Sequence, residues 1–280
     1  GGVYVDATLG GGGHARLLLE HLTDGHLYGI DQDPDVVSNA PQDSRFTLIR
    51  GNFRHLKKLL RLHGTKQVDG ILADFGVSSH QFNTGARGFS TRYEGPLDMR
   101  MNPERPLHAE EIINKYDPQE LLRIFRDYGE ISHPGKMVQA LENQRPLHST
   151  TALREVVIPF APRQREHRFL AQVFQAIRIE VNEELRAIEE LLEQSPQLLS
   201  PGGRIVCLSY HSLEDRLVKN FFRSGNIQGQ AQKNFYGELL RPLEPVTRKP
   251  RVPQEGELTA NPRSRSVKLR AAVKTIPDGQ

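Results

Sequence analysis

Short apolar runs recur along this chain, and between them apolar residues return every three or four positions. Residues 3–5, 26–31, 45–50, 68–74 and 204–210 have the length and apolar content of buried strands. Between and after them, residues 15–19, 56–60 and 213–223 carry helical spacing. The alternation predicts an α/β fold with a parallel sheet. From about 82 to 106 the pattern dissolves into a turn-rich, arginine-rich loop, a length that usually signals function or disorder. Helices then dominate. Asp117-Pro118-Gln119-Glu120 is a strong helix start, followed by Leu121, Leu122, Ile124 and Phe125 on one stripe. Further helices are expected near 134–145 and 149–158, and Val173, Ile177, Val181, Leu185 and Ile188 mark one long helix over 168–194.

The block at 100–166 therefore reads as a helical subdomain inserted between two parts of the sheet domain, 1–99 and 167–280. At the far end, 238–246 and 264–274 look like two strands without an intervening helix, the second alternating Val267, Leu269, Ala271 and Val273 with basic residues. They predict an antiparallel hairpin that finishes the parallel sheet. Ser212 and Asp215 are spaced as a capping box for the helix after the fifth strand.

Composition narrows the class. The 280 residues are 37% hydrophobic and 25% charged, ordinary for a globular protein with a sizeable core. One cysteine, Cys207, excludes a disulfide framework and a thiolate-rich zinc site and fits a reducing cytosol, so a cytoplasmic location is expected. The eleven histidines form no ligand-spaced pair, and no metal is expected. No stretch is long and apolar enough to span a membrane. Gly1 stands directly before the first strand, so a preceding segment is expected to exist.

Net charge is only +3, but it is unevenly spread. Nine Lys/Arg against three Glu lie within 241–274, including Arg263 and Arg265, and the loop holds Arg87, Arg92, Arg100 and Arg105. Two basic segments suit a polyanionic partner, although either alone could simply be a solvated surface.

Candidate chemistry begins at Asp6-Ala7-Thr8-Leu9-Gly10-Gly11-Gly12-Gly13-His14, between the first strand and the first helix. Glycines there allow unusual backbone angles and let the main chain approach a nucleotide-like ligand, towards which the helix start presents free N–H groups. Gly10, Gly12 and Ala15 fit a dinucleotide spacing. Asp6, Gly10 and Gly12 equally fit a first motif for S-adenosylmethionine, with Thr8 where glycine is more usual. Asp31 ends the second strand, where a carboxylate would accept hydrogen bonds from ribose hydroxyls, while Asp33 caps the helix opening at Pro34. Phe53, after the third strand, could wall an adenine ring or simply pack in the core. Asp74 ends the fourth strand before a Gly/Ser loop, at the ligand-binding edge of an open parallel sheet. The terminal hairpin favours the sulfonium cofactor over a dinucleotide.

The motifs together resemble a known family. The glycine run, Asp74-Phe-Gly-Val-Ser-Ser79, Arg87-Gly-Phe-Ser90, Pro96-Leu-Asp-Met-Arg-Met101, Phe174-Gln-Ala-Ile-Arg-Ile179, Ser209-Tyr-His-Ser-Leu-Glu-Asp-Arg216 and Asn261-Pro-Arg-Ser-Arg-Ser266 are similar, in order and over nearly the whole chain, to the RsmH (MraW) family of bacterial 16S rRNA cytosine-N4 methyltransferases. The resemblance implies a class I (Rossmann-like) methyltransferase core with a helical, substrate-recognising insertion and S-adenosyl-L-methionine as donor. It further implies a decoding-region cytosine of 16S rRNA in the small ribosomal subunit as acceptor; a monomer or homodimer is expected. By matching position it implies cofactor contacts at Gly12, Gly13, His14, Asp31, Phe53, Asp74 and Gln81. Two departures stand out: a segment usual upstream of the first strand is absent, and Tyr128-Gly-Glu130 matches before the sequence diverges.

A cytosine amine is a poor nucleophile, so a catalyst must align it and accept its N–H hydrogen bonds. Asp74 or neighbouring carbonyls are expected to do so, because the Pro-Pro loop of many amino-methyltransferases is missing here; its absence also disfavours a DNA amino-methyltransferase. His211 is a second candidate as proton acceptor, with helix capping the competing reading. Arg87, Arg92, Arg100, Arg263 and Arg265 are the expected RNA contacts. An NAD oxidoreductase and a non-enzymatic rRNA-binding assembly factor are the alternatives from other classes.

Overall fold

The computed structural model describes residues 1–275, which form two compact units: residues 1–76 with 185 onward, and residues 77–184. In chain order the first unit opens with β1 (Gly2–Asp6), α1 (Gly13–His21), β2 (Gly25–Asp31), a 3₁₀ turn at Pro34–Asn39, β3 (Phe46–Arg50), α2 (Leu56–Leu62) and β4 (Val68–Asp74). The second unit holds α3 (Ser79–Asn83), α4 (Ala109–Lys115), α5 (Pro118–Asp127), α6 (Gly135–Asn143), α7 (Thr150–Val157) and α8 (Glu166–Asn182). The chain re-enters the first unit along α9 (Glu184–Leu198), followed by β5 (Leu199–Ser209), α10 (Ser212–Ser224), β6 (Leu243–Pro245), α11 (Glu255–Ala260) and β7 (Lys268–Lys274).

Among the described residues the strands make one seven-stranded sheet in the order β3-β2-β1-β4-β5-β7-β6. The first five pair in parallel, and β7 runs antiparallel to both β5 and β6. The sheet core joins Val5, Ile30, Ile71, Ile205 and Cys207 to Leu191 and Leu192 of α9 and to Val218, Phe221 and Phe222 of α10. Burial alone pushes the Cys207 thiol above its ordinary pKa, so it serves as a small apolar side chain. Leu9, Ala15, Leu19, Leu27 and Val36 form a smaller cluster that seats α1 against β2. Because β1 and β4 are adjacent at the point where strand order reverses, the ends of β1, β2 and β4 converge where open sheets bind ligands.

The second unit has its own core, with Ile112, Leu121, Phe125, Leu141, Leu153 and Val173 all fully buried. The expected cap is present: Asp117 accepts from the Glu120 N–H at 2.9 Å, and Glu120 accepts from the Asp117 N–H at 3.2 Å.

Four expectations need correction. The helical unit is broader than 100–166, since the preceding loop and all of α8 pack into its core. The long helix over 168–194 is two helices, because Glu183 takes a left-handed conformation (φ 50°) that stops α8. The last two strands are not a simple hairpin, as α11 lies between them and β6 is only three residues long. The capping box of α10 is shifted by one residue, onto His211 and Glu214.

Candidate cofactor site

Three neighbouring strands each end in aspartate: Asp6 on β1, Asp31 on β2 and Asp74 on β4. The glycine run passes in front of them. Gly10 (φ 47°) and Gly12 (φ 72°) are left-handed, and a Cβ on Gly12 would come within 2.6 Å of the Asn39 carbonyl. A Cβ on Gly11 or Gly13 would meet nothing within 4 Å, so the main chain there faces open space. No side chain caps α1 and no acid lies in its first turn, which leaves its positive end available to a ligand carboxylate.

Side chains fix the turn from outside. Asp31 accepts from the Gly10 N–H at 2.9 Å and from the Asp33 N–H at 3.0 Å. Asn39 donates to the Gly10 carbonyl at 3.0 Å, and Arg16 donates to the carbonyls of Gly11 and Asn39, each at 2.9 Å. Thr8 stands where a glycine is more usual because its hydroxyl accepts from the Asp74 N–H at 2.7 Å, tying β1 to β4.

Electrostatics give the site its sign. Asp6 is fully buried, and burial raises its carboxyl to a pKa of about 6 against the pull of the Thr8 N–H and His14. Asp31 is also raised by burial, opposed by backbone N–H donors of Asp33, Gly10 and Gln32, and Asp74 is raised by burial against the Tyr210 hydroxyl and His14. His14 Nδ1 lies 3.8 Å from Asp74 Oδ2, with the imidazole 44% and the carboxylate 25% exposed. Asp6 Oδ2 and Asp74 Oδ1 are buried and find no hydrogen-bond partner among the described residues. Buried carboxylates in this state attract a cation. A dinucleotide would instead bring pyrophosphate charges against them. The residues fit S-adenosylmethionine, which carries an ammonium and a sulfonium, and a carboxylate for the start of α1.

The comparisons agree with that reading. The model of the MraW methylase family matches residues 1–275. The chain belongs to the MraW methylase family. A relative from Amoebophilus asiaticus, named ribosomal RNA small subunit methyltransferase H, is 50% identical over 98% of this chain and 90% of its own. One of the same name from Cytophaga hutchinsonii is 51% identical over 97% of this chain and 92% of its own. Among solved structures, an rRNA methylase from Streptococcus thermophilus superposes with TM-score 0.41 at 11% identity, covering 98% of this chain and 87% of that one. This MraW methylase is an S-adenosylmethionine-dependent methyltransferase, with the sheet topology described above.

The other expected residues fall as follows. Phe53 is half-buried beside Phe75, with ring centroids 5.9 Å apart, at the head of the 3₁₀ turn after β3. Gln81 is buried in the capping box of α3, where its side chain accepts from the Ser78 N–H at 3.0 Å. His211 is 11% exposed and caps α10: its Nδ1 faces the Glu214 N–H at 3.5 Å and its Nε2 lies 3.2 Å from a Glu214 carboxylate oxygen. The capping role expected for His211 is therefore present, while its Nε2 is buried without a hydrogen-bond partner among the described residues. Arg87 donates to the carbonyls of Arg100 and Met101 at 3.0 Å, and Arg100 forks onto Asp98 at 2.7 Å. Both are engaged within their own loop. Arg92, Arg263 and Arg265 are exposed.

Tyr210, within the Ser209–Arg216 motif, joins the site without a spacing of its own that points to it. Its hydroxyl faces Asp74, and burial together with the Asp74 charge raises its pKa. Asn39, which holds the glycine turn across a gap of 29 residues, carries no local signal at all.

Proposed function

We propose that this protein methylates the exocyclic N4 amine of a cytosine in the decoding region of 16S rRNA, within the small ribosomal subunit in the cytoplasm. The relatives' printed name and their length-matched identity support the substrate class. The single observation that carries the chemistry is the buried, partnerless Asp74 Oδ1 at the end of β4. Bound S-adenosylmethionine supplies an electrophilic methyl group.

The chain's own residues do the rest. Asp6 and Asp74 neutralise positive charge, the glycine turn and α1 hold the donor's carboxylate, and Asp31 holds its ribose, with Phe53 beside the adenine. Asp74 accepts an N–H of the target amine, aligning it and opposing the positive charge that grows on nitrogen. The Tyr210 hydroxyl keeps the Asp74 carboxylate oriented. Arg92, Arg263 and Arg265 contact phosphates. A cytosine stacked in a helix must leave its stack to reach the methyl group, so the RNA is engaged beyond the target base.

The test is transfer of tritiated methyl groups to 30S subunits, free 16S rRNA and DNA, followed by nucleoside analysis. Label in N4-methylcytidine from the ribosomal substrates is expected. Label in DNA alone, or none, overturns the proposal.

A further inference from the structure

Residues 232–240 fold into a small turn that buries almost nothing. An antiparallel bridge joins Lys233 to Leu239, and the Leu240 N–H donates to Gln232 at 2.8 Å. Asn234 organises the tip. Its side-chain carbonyl accepts from the N–H groups of Tyr236 and Glu238, both at 3.0 Å, and its amide donates to Glu238 at 2.7 Å. Gly237, left-handed at φ 84°, closes the loop. Held at this tip are Phe235 and Tyr236, 99% and 85% exposed, in an edge-to-face pair with centroids 5.7 Å apart.

Folding gains nothing from two aromatic rings left in water, yet the backbone beneath them is fixed by several hydrogen bonds. Such an arrangement lowers the ordering cost of binding something flat and apolar. The charge of the neighbouring sequence favours one kind of partner. Lys233 stands at the base of the turn, and the exposed Arg248, Lys249 and Arg251 follow shortly after in the same unit. Aromatic rings beside cations are the common platform for unpaired nucleotides, because every base has a stacking face and every nucleotide a phosphate. An extruded target base also leaves unstacked neighbours, which need a surface to lie on.

We propose that Phe235 and Tyr236 form a stacking platform for single-stranded nucleotides of the RNA substrate, anchoring it outside the methyl-transfer site. The inference rests on the rRNA reading above and adds to it a site that reads unpaired bases rather than phosphates alone.

The experiment compares wild type, F235A/Y236A and F235Y/Y236F for binding to a 16S rRNA fragment bearing the decoding region, with thermal melts to confirm folding. The alanine double variant is expected to weaken RNA binding by at least about tenfold, since stacking on each ring is worth on the order of tenfold. Its salt dependence and its KM for S-adenosylmethionine should match wild type, because neither ring carries charge. The aromatic-preserving variant should stay within about twofold of wild type, as either ring type can stack. Equal RNA affinity of wild type and F235A/Y236A overturns the platform alone. So does a variant that binds naked RNA normally but fails on 30S subunits, which would mark a protein contact, or one that changes only oligomeric state in sedimentation. If wild type itself binds no RNA, the rRNA reading falls and the platform with it.

Discussion

Asp6 holds its charge at a cost that burial sets. Its carboxyl titrates at about 6 in the fold against an ordinary 3.8, so between those values the folded chain keeps a proton that the unfolded chain has lost. Stability therefore falls as pH rises from 3.8 through about 6 and is level above, by about 3 kcal/mol in all. Asp6→Asn should flatten that slope and raise the melting temperature of the ligand-free protein at pH 8. The same variant should bind S-adenosylmethionine more weakly there. In wild type, affinity for the cationic donor should decline as pH drops through about 6, and titration calorimetry of wild type beside Asp6→Asn separates this from the effect of His14 nearby. Asp74→Asn should lower kcat by about a hundredfold at saturating donor, the usual scale for a group that stabilises developing charge; an unchanged kcat would remove Asp74 from the chemistry. Gly10, Gly12, Asp31 and Asp74 were legible in the sequence because left-handed turns and strand-end acids have local signatures. Tyr210 and Asn39 were not, because their roles come from elements distant along the chain. The loop partners of Arg87 and Arg100 are likewise invisible in the sequence, which does not say whether a guanidinium reaches a carbonyl of its own loop.

Elements were read well wherever a cap or a period marked them. Asp117-Pro118 and Glu120 started α5 where expected, and β4 has the predicted bounds. Removing the cap with Asp117→Ala should cost about 1 kcal/mol, seen as a lower thermal midpoint for the helical unit with the donor's affinity unchanged. The α8–α9 break escaped notice because Glu183 is neither glycine nor proline, and its left-handed backbone leaves the apolar period on both sides intact. The shift of the α10 box to His211 was hidden by Ser212, a better cap by residue type. His211 replaces it because its backbone is extended (φ −137°) while Ser212 is already helical.

For the whole molecule, +3 net charge says less about an RNA partner than its distribution does: Arg248, Lys249, Arg251, Arg263 and Arg265 are exposed within one stretch of the chain, while Asp6, Asp31 and Asp74 lie at the donor site. Binding of a 16S rRNA fragment should weaken steeply with salt, as counterion release requires, whereas donor binding should respond far less. Fluorescence anisotropy over a salt series reads the first and calorimetry the second; parallel slopes would contradict the separation. The position of β7 carries a different kind of consequence. It is last of the described strands, yet it sits between β5 and β6, pairing Ile205 with Ala272 and Glu244 with Val273. During synthesis β5 is made some sixty residues before its antiparallel partner, so a sheet edge waits open while the chain lengthens. A ribosome stalled before Lys268 would hold a chain with a finished glycine turn and an unfinished sheet. Such a nascent chain is a client for a chaperone and a template for mispairing until the final strand is inserted.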